Sequence, residues 1–125
     1  MANKNEIYDI HERIFKFVVE VIRFVETLPR TPANLAIIAQ ILPSVTSMGA
    51  NDQEADGAST RKDFVHRYSI VRKEGKETIY WLRLIGALNP TRKIKADSLQ
   101  KEGKEIVAII SSIISKANRT SASRK

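Results

Sequence analysis

The chain has no cysteine among its 125 residues, which excludes a disulfide framework and any chemistry that depends on a thiolate. Proline and glycine are also scarce, at four and five residues, so long regular elements are possible. No apolar run approaches the ~18–20 residues that span a bilayer, and the polar start of the sequence shows no signal-peptide pattern. From these absences we expect a cytoplasmic protein with no membrane partner.

Charge is abundant but unevenly distributed along the chain, and the formal net charge is +7 at pH 7. Residues 31–57 carry three acidic and no basic groups, whereas residues 58–90 carry seven basic and three acidic groups and residues 91–125 carry nine and three. The C-terminal half therefore holds the whole excess, which favours a polyanionic partner through counterion release. The same pattern is typical of a solvated helix face, so charge alone leaves both interpretations open.

Apolar residues recur at helical spacing from about Asn5 to Leu28 and predict a first helix. Two rows with a seven-residue period form its core seam: Ile7, Ile14, Val21 and Leu28, with Ile10, Phe17 and Phe24. A further stripe contains Phe15, Val18, Ile22 and Val25. Because the apolar surface is wider than one core face requires, it indicates a second buried surface. A subunit interface and a central position in the chain's own bundle both explain it.

The second helix is predicted to begin after the capping residue Thr31, with Pro32 at its first position, and to end at Gly57. Pro43 lies in its middle and predicts a lost backbone hydrogen bond and a kink, unless neighbours compensate. The predicted core positions of this helix are Leu35, Ile38, Ala39, Leu42, Val45 and Met48.

The third helix is predicted to be capped by Ser59 or Thr60 and to end before Pro90. Its predicted inner stripe contains Phe64, Tyr68, Val71, Gly75, Thr78, Leu82 and Ile85. After a basic connector, residues 91–96, the fourth helix is predicted over about residues 97–118. Its predicted core face contains Ile106, Ile109, Ile110, Ile113, Ile114 and Ala117.

These segments and their short connections predict an all-α, antiparallel, up-down-up-down four-helix bundle. It would form one domain, residues 1–118, followed by a basic polar tail, residues 119–125. The sequence KEGKE occurs at residues 73–77 and again at residues 101–105, so it places matching charges and a glycine on the third and fourth helices. In helices this rich in charge we interpret the repeat as a coincidence.

No set of residues converges on a reaction, so we expect no enzyme, no catalytic residue and no cofactor. Residues 52–63 imitate a calcium-binding EF-hand loop. However, Glu54 is longer than the usual third ligand and Asp63 reaches a bidentate geometry less readily than glutamate, so we predict no calcium site. His11 and His66 are far apart in sequence and no Glu-x-x-His motif occurs, so we predict no metal site of another kind.

A dense motif covers about 45 residues in the middle of the chain. It comprises a helix rich in small residues and a second helix that contains Asp-Phe and closes with Tyr-Trp-Leu-Arg-Leu. The matching residues are Ser47, Gly49, Ala50, Asn51, Glu54, Ala55, Asp63, Phe64, Lys73, Glu74, Glu77, Thr78, Tyr80, Trp81, Leu82, Arg83 and Leu84. In this motif the chain resembles the bacterial four-helix bundle family known as 23S rRNA intervening sequence proteins. Pro43, Met48 and Gly75 depart from the family pattern.

This resemblance implies a bundle that assembles as a ring-shaped homopentamer and that has no enzymatic activity of its own. Some relatives are encoded within inserts in ribosomal RNA genes. A related bundle, the accessory variability determinant of diversity-generating retroelements, is a basic pentamer that works with a reverse transcriptase and nucleic acid. The resemblance therefore implies RNA, DNA, a reverse transcriptase or another protein as candidate partners, besides further copies of the chain.

Two groups of residues are candidate sites. Semi-buried polar and aromatic residues on the second and third helices are predicted to set helix register or subunit pairing, with Glu54 or Glu77 paired to Arg83; the group is Asn51, Glu54, Glu77, Trp81 and Arg83. Basic residues of the third and fourth helices are predicted to contact phosphates; the group is Arg72, Lys73, Lys76, Arg92, Lys93, Lys95, Lys101 and Lys104.

Two functions from different classes follow from these groups. The first is a non-enzymatic, homo-oligomeric protein that binds nucleic acid, or scaffolds a nucleic-acid-processing complex, through its basic surface. The second is a protein–protein adaptor that binds no nucleic acid. We identify no aromatic stacking platform among the basic residues, which argues against a specific reader of single strands.

Overall fold

The computed structural model describes the backbone of residues 4–123 and the side chains of residues 10–119. Within that part of the chain there are four α-helices and no strand: α1 (Lys4–Glu26), α2 (Pro32–Asp56), α3 (Arg61–Leu88) and α4 (Lys93–Ser123). A 3₁₀ turn, Pro90–Arg92, joins α3 to α4. The predicted all-α fold is confirmed. Ile7 and most of the predicted tail, residues 119–125, lie outside the described side chains.

Contacts between helices show that each neighbouring pair is antiparallel. Along α2 and α3, Asn34 contacts Asn89 near one end of the bundle and Asp52 contacts Tyr68 near the other. The same inverse order relates α1 to α4, where Arg13 binds Glu102 and Thr27 accepts from Arg92. The result is the predicted up-down-up-down bundle, in which α1 and α3 each lie between α2 and α4.

The core is built by one apolar stripe from each helix. All seven residues predicted for the inner stripe of α3 are buried, and α4 buries Ile106, Ile110, Ile113, Ile114 and Ala117 as predicted. Ile109 is only partly buried. The core of α1 includes Ile10, Ile14, Phe17, Val21, Phe24 and Leu28.

The predicted core face of α2 is partly wrong. Leu35 is 49% exposed, and Ala39 is also exposed, whereas Ile37 and Ile41 are buried. The buried stripe of α2 includes the polar residues Asn34, Ser44 and Asp52. Because the exposed side of α2 is almost as apolar as its core side and residues 31–51 hold no charge, hydrophobic periodicity could not locate the buried face.

Helix boundaries follow local hydrogen bonding. The Thr31 and Thr60 hydroxyls accept from the backbone N–H groups three residues later, as N-caps do. The predicted basic connector at residues 91–96 is wrong, because α4 begins at Lys93 directly after the 3₁₀ turn. The predicted end of the fourth helix at Asn118 is also too early, since α4 continues to Ser123.

Pro43 lies within the continuous helix α2. Proline cannot donate to the carbonyl of Ala39, one turn earlier. Both residues are on the exposed side of α2, where water can reach that carbonyl. On the other side, the buried hydroxyl of Ser44 donates to the carbonyl oxygen of Gln40 at 3.1 Å. The helix therefore stays continuous through this proline.

Among the described helices, only α2 is long and apolar enough to cross a membrane by length and composition. This is weak evidence, because a helix packed in the core of a bundle passes the same test. Here α2 buries Ile37, Ile41, Val45 and Met48 in the core that it shares with the other three helices.

Candidate nucleic-acid interface

The two KEGKE segments lie in the contact between α3 and α4. A Cβ on Gly75 would lie 2.9 Å from Val107 Cγ2, and a Cβ on Gly103 would lie 2.9 Å from Ile79 Cγ1. Each glycine thus faces the aliphatic residue four positions after the other glycine. Antiparallel helices with such reciprocal contacts are related by a local twofold axis. The repeat that the sequence led us to interpret as a coincidence therefore forms the α3–α4 contact itself.

The glutamates of the repeat turn away from this contact toward the other two helices. On α3, Glu77 Oε2 lies 3.3 Å from the hydroxyl oxygen of Ser44 on α2. On α4, Glu102 accepts two hydrogen bonds from Arg13 of α1, at 2.8 and 2.7 Å, and Glu105 accepts one at 3.1 Å. These acidic side chains therefore occupy the outer sides of the α3–α4 pair.

The lysines of the repeat point away from the α3–α4 contact, and Glu77 and Glu105 follow Lys73 and Lys101 by one helical turn. Successive residues of a helix are separated by about 100°, so the two lysines of each repeat project together, toward the outer surface shared by α3 and α4. All four are exposed, and none forms an ion pair with a carboxylate among the described side chains. We call this surface the lysine face; it consists of Lys73, Lys76, Lys101 and Lys104.

The other residues predicted to contact phosphates are partly buried or already bind other groups of the chain. Arg72 is half-buried on α3, beside the lysine face. Lys93 is paired with Asp97 at 2.9 Å, and Lys95 lies 3.5 Å from Glu20 of α1. Four of the eight predicted residues thus lie together without a carboxylate partner. Lys93, Lys95 and Arg92 instead contact other groups of the chain.

Arg92 lines a separate cleft between α1 and α4. Its Nη2 donates to the carbonyl oxygen of Thr27 at 3.0 Å, and its buried Nε has no hydrogen-bond partner. The cleft has a volume of about 500 Å³. Its lining residues are Glu20, Arg23, Phe24, Thr27, Arg92 and Lys95. Three cations against one carboxylate make this a second basic region, at the end of the bundle where α3 joins α4.

The residues predicted to set register or subunit pairing do not form one cluster. Asn51 links α2 to α3, because its Oδ1 accepts from Arg67 at 3.2 Å. Trp81 is half-buried against the core, whereas Glu54 and Arg83 are exposed. Neither Glu54 nor Glu77 pairs with Arg83 among the described contacts of the single chain.

An aromatic side chain does lie among the basic residues, contrary to the sequence analysis. Tyr80 is 54% exposed. It follows Lys76 by one helical turn, and the helical angle places it on the same side of α3 as Lys73 and Lys76. A helical wheel drawn from the repeat would have found it. In the sequence, Tyr80 stands out only as part of the central motif, so its place among the lysines was not predicted.

A polar cluster that the sequence analysis did not predict lies at the other end of the bundle. The buried carboxylate of Asp52 has both oxygens 2.8 Å from His11 Nδ1, and its Oδ1 accepts from the Tyr68 hydroxyl at 3.1 Å. Burial raises the pKa of Asp52, and the hydrogen bond from His11 opposes that rise. Burial also raises the pKa of Tyr68.

This cluster explains why the EF-hand-like acids do not form a loop. Residues 52–56 belong to α2, and Asp52 points into the core rather than toward a cation. Asp52 follows the buried Met48 by one helical turn, and this position could have revealed from the sequence that Asp52 is buried. The described residues contain no group of three or more histidine or acidic side chains arranged to hold a metal ion.

The family model for the 23S rRNA-intervening sequence protein matches residues 6–112. The chain belongs to this family. A crystal structure of a protein of the S23 ribosomal protein family from Bacteroides thetaiotaomicron VPI-5482 shares 30% sequence identity and superposes with a TM-score of 0.80. The alignment covers 88% of this chain and 98% of that protein. No curated protein matches the chain.

Membership of the 23S rRNA-intervening sequence protein family confirms the resemblance that the central motif carries. The Bacteroides protein is described as having unknown function, so the comparisons establish fold and family and indicate no enzymatic family. Any function must be argued from the surfaces of the bundle.

Proposed function

We propose that this protein is a non-enzymatic, homo-oligomeric four-helix bundle that binds nucleic acid, or scaffolds a nucleic-acid-processing complex, through its basic surface. The observation that carries this proposal is the lysine face. Four exposed lysines project from two closely packed helices, while the nearby Glu102 and Glu105 bind Arg13. The four lysines therefore present positive charge beside two glutamates that are already paired with an arginine of α1.

Such a surface favours phosphate contacts over base contacts. Lysine ammonium groups act as mobile point charges, which bind phosphate oxygens without reading base edges. Each phosphate that they neutralise releases counterions, so affinity depends steeply on salt. The proposal therefore implies binding with little sequence preference and a strong salt dependence.

Self-association is the second part of the proposal, and the outer side of α2 supports it. Residues 31–51 carry no charged group, Leu35 is exposed, and Ile38 and Leu42 of α2, like Trp81 of α3, are only partly buried. On α1, Phe15 is 63% exposed beside a groove of about 410 Å³ that Gly49 and Ala50 help to line. An apolar, charge-poor surface of this kind fits a partner of the same chemistry, such as a second copy of the chain. The pentamer that the family resemblance implies stays a prediction, as does a reverse transcriptase or other protein partner.

The test of nucleic-acid binding is a titration of labelled RNA and DNA by fluorescence anisotropy at several salt concentrations. The double variant K101E/K104E removes half of the lysine face. We expect it to weaken binding by at least tenfold at low salt and to reduce the salt slope by about two. The matched control is K16E/R30E, which makes the same change of charge at exposed positions on α1 and on the α1–α2 connection.

Equal loss of affinity in the two double variants would show that net charge, and not the lysine face, governs binding. The protein-adaptor alternative predicts a different result. The apolar outer side of α2 supports this alternative. It predicts that the wild-type protein binds neither RNA nor DNA and that it binds a partner protein with an affinity independent of salt.

A further inference from the structure

Tyr80 is the large side chain that is exposed on the lysine side of α3. The helical angle places its ring between Lys73 and Lys76 in projection, and a rise of about 1.5 Å per residue puts its Cα roughly 6 Å along the axis from that of Lys76. The exposed fraction of 54% leaves much of its ring in contact with water. The lysine face therefore combines four cations with one accessible aromatic surface.

The orientation of the Tyr80 ring is supported by its neighbour. The centroids of the Tyr80 and Trp81 rings are 4.9 Å apart, and the planes meet at 71°. This T-shaped contact is favourable and restricts the tyrosine ring. Because the two rings are not parallel, Trp81 does not cover the ring in the way that a stacked partner would. The ring of Tyr80 is thus held in place on the bundle, and no other ring of the single chain stacks on its face.

We propose that Tyr80 is a stacking site for an unpaired base and that the lysine face binds single-stranded nucleic acid. Phosphate-binding cations beside an exposed aromatic ring are the combination with which proteins hold single strands, because every base has a face that can stack on an aromatic side chain. The bases of a duplex are already stacked on one another, so a duplex gains only the contacts to its phosphates. This inference rests on the proposed nucleic-acid function and specifies the strandedness of the ligand.

The proposal explains the arrangement better than a protein interface does. A protein partner that buried Tyr80 would also cover the nearby lysines, and it would have to supply carboxylates to match them. A single strand supplies both requirements at once, since each nucleotide carries a negatively charged phosphate and a base with a flat face that can stack.

The experiment compares Y80L with Y80F. Leucine keeps an apolar side chain of similar bulk but has no ring, and phenylalanine keeps the ring. The probes are a labelled single-stranded homopyrimidine oligonucleotide and a duplex of the same length, each titrated by anisotropy at one fixed salt concentration. We expect Y80L to weaken binding of the single strand about tenfold or more and to change duplex binding by less than twofold. We expect Y80F to match the wild type on both probes.

A further readout separates stacking from charge. Y80L should leave the salt slope for the single strand unchanged, since the tyrosine releases no counterions, whereas K76A should lower that slope. Thermal unfolding followed by circular dichroism checks that Y80L is folded, and the exposure of Tyr80 predicts a small change in melting temperature.

The outcomes distinguish this inference from the function on which it rests. Wild-type binding of both probes with no selective loss in Y80L would overturn stacking and leave the nucleic-acid function intact. Equal loss on strand and duplex would assign Tyr80 a role other than stacking. Failure of the wild type to bind either probe would overturn the nucleic-acid function and the stacking site together.

Discussion

At the residue scale, the buried carboxylate of Asp52 is held by side chains of two other helices. Only 1% of the Asp52 surface is exposed, because the residue lies in the core of the bundle. An unpaired charge there would be strongly destabilising. His11 and Tyr68 satisfy the carboxylate with hydrogen bonds. The cluster ties α1, α2 and α3 together at the end of the bundle opposite the Asn34–Asn89 pair.

The raised pKa of Asp52 predicts a specific pH dependence. The folded state binds this proton more tightly than the unfolded state does, so the free energy of unfolding should fall as pH rises from the ordinary aspartate pKa of about 3.9 through the raised value. D52N removes the titration. We therefore expect the difference in unfolding free energy, wild type minus D52N, to become more negative over this pH window in urea unfolding measurements.

D97N provides the control, because Asp97 is exposed on α4, where its carboxylate contacts Lys93 and Gln100 at the surface. Its difference from the wild type should not follow the same trend. A difference for D52N that stays constant with pH would show that the carboxyl group titrates alike in the folded and unfolded states.

At the element scale, the α3–α4 contact depends on two glycines without side chains. A methyl group on Gly103 would lie 2.9 Å from Ile79 Cγ1 and 3.1 Å from Phe17 Cζ, which is closer than packed carbon atoms tolerate. The clash outweighs the better helix propensity of alanine, about 1 kcal/mol. We expect G103A to lower the free energy of unfolding by about 1–2 kcal/mol in urea denaturation.

Two further variants identify the cause of that loss. In the double variant G103A/I79A, the clashing side chain is absent, so the combined loss should be smaller than the sum of the two single losses. G57A is the matched control, since a Cβ there would meet no atom nearer than 3.9 Å. Additive losses in the double variant would contradict a steric origin.

The elements also show which parts of the structure the sequence predicts. The inner stripe of α3 was predicted correctly in full. Its residues recur at spacings of three and four, and most of the charged residues of α3 lie between them on the other side of the helix. The face of α2 was not predicted correctly in full, because charge is absent over residues 31–51 and the buried polar residues Asn34 and Asp52 find partners only on other helices. Likewise, each lysine of the lysine face is visible in the sequence, but the contacts of the neighbouring glutamates are with Arg13 and Ser44, which are far away along the chain.

At the scale of the whole molecule, the surface has two contrasting sides. The outer surface of α3 and α4 carries the lysine face, and the outer surface of α2 carries no charge over residues 31–51. An assembly built through α2 would repeat the lysine face once per copy. Several weak phosphate contacts would then act together on one nucleic-acid chain and raise the affinity through effective concentration.

The assembly predicts the effect of a single charge on α2. Ala39 is exposed and small, so A39E should leave the fold intact while it places an unpaired carboxylate in the proposed interface. We expect size-exclusion light scattering to show a multiple of the 14.1 kDa chain mass for the wild type and a shift toward the single-chain mass for A39E. S98E, an equivalent change at an exposed position of α4, should keep the wild-type mass. A wild-type protein of single-chain mass would show that the outer side of α2 does not mediate self-association.

The local twofold relation between the KEGKE segments has a consequence for directionality. Rotation about that axis exchanges Lys73 with Lys101 and Lys76 with Lys104, so a strand that crosses the face meets the same lysines whether it runs 5′ to 3′ or the reverse. Tyr80 breaks this equivalence, because the position related to it on α4 is Ala108. The lysines alone would bind a strand equally well in either direction. Binding through Tyr80 as well would favour one direction of the strand across the face.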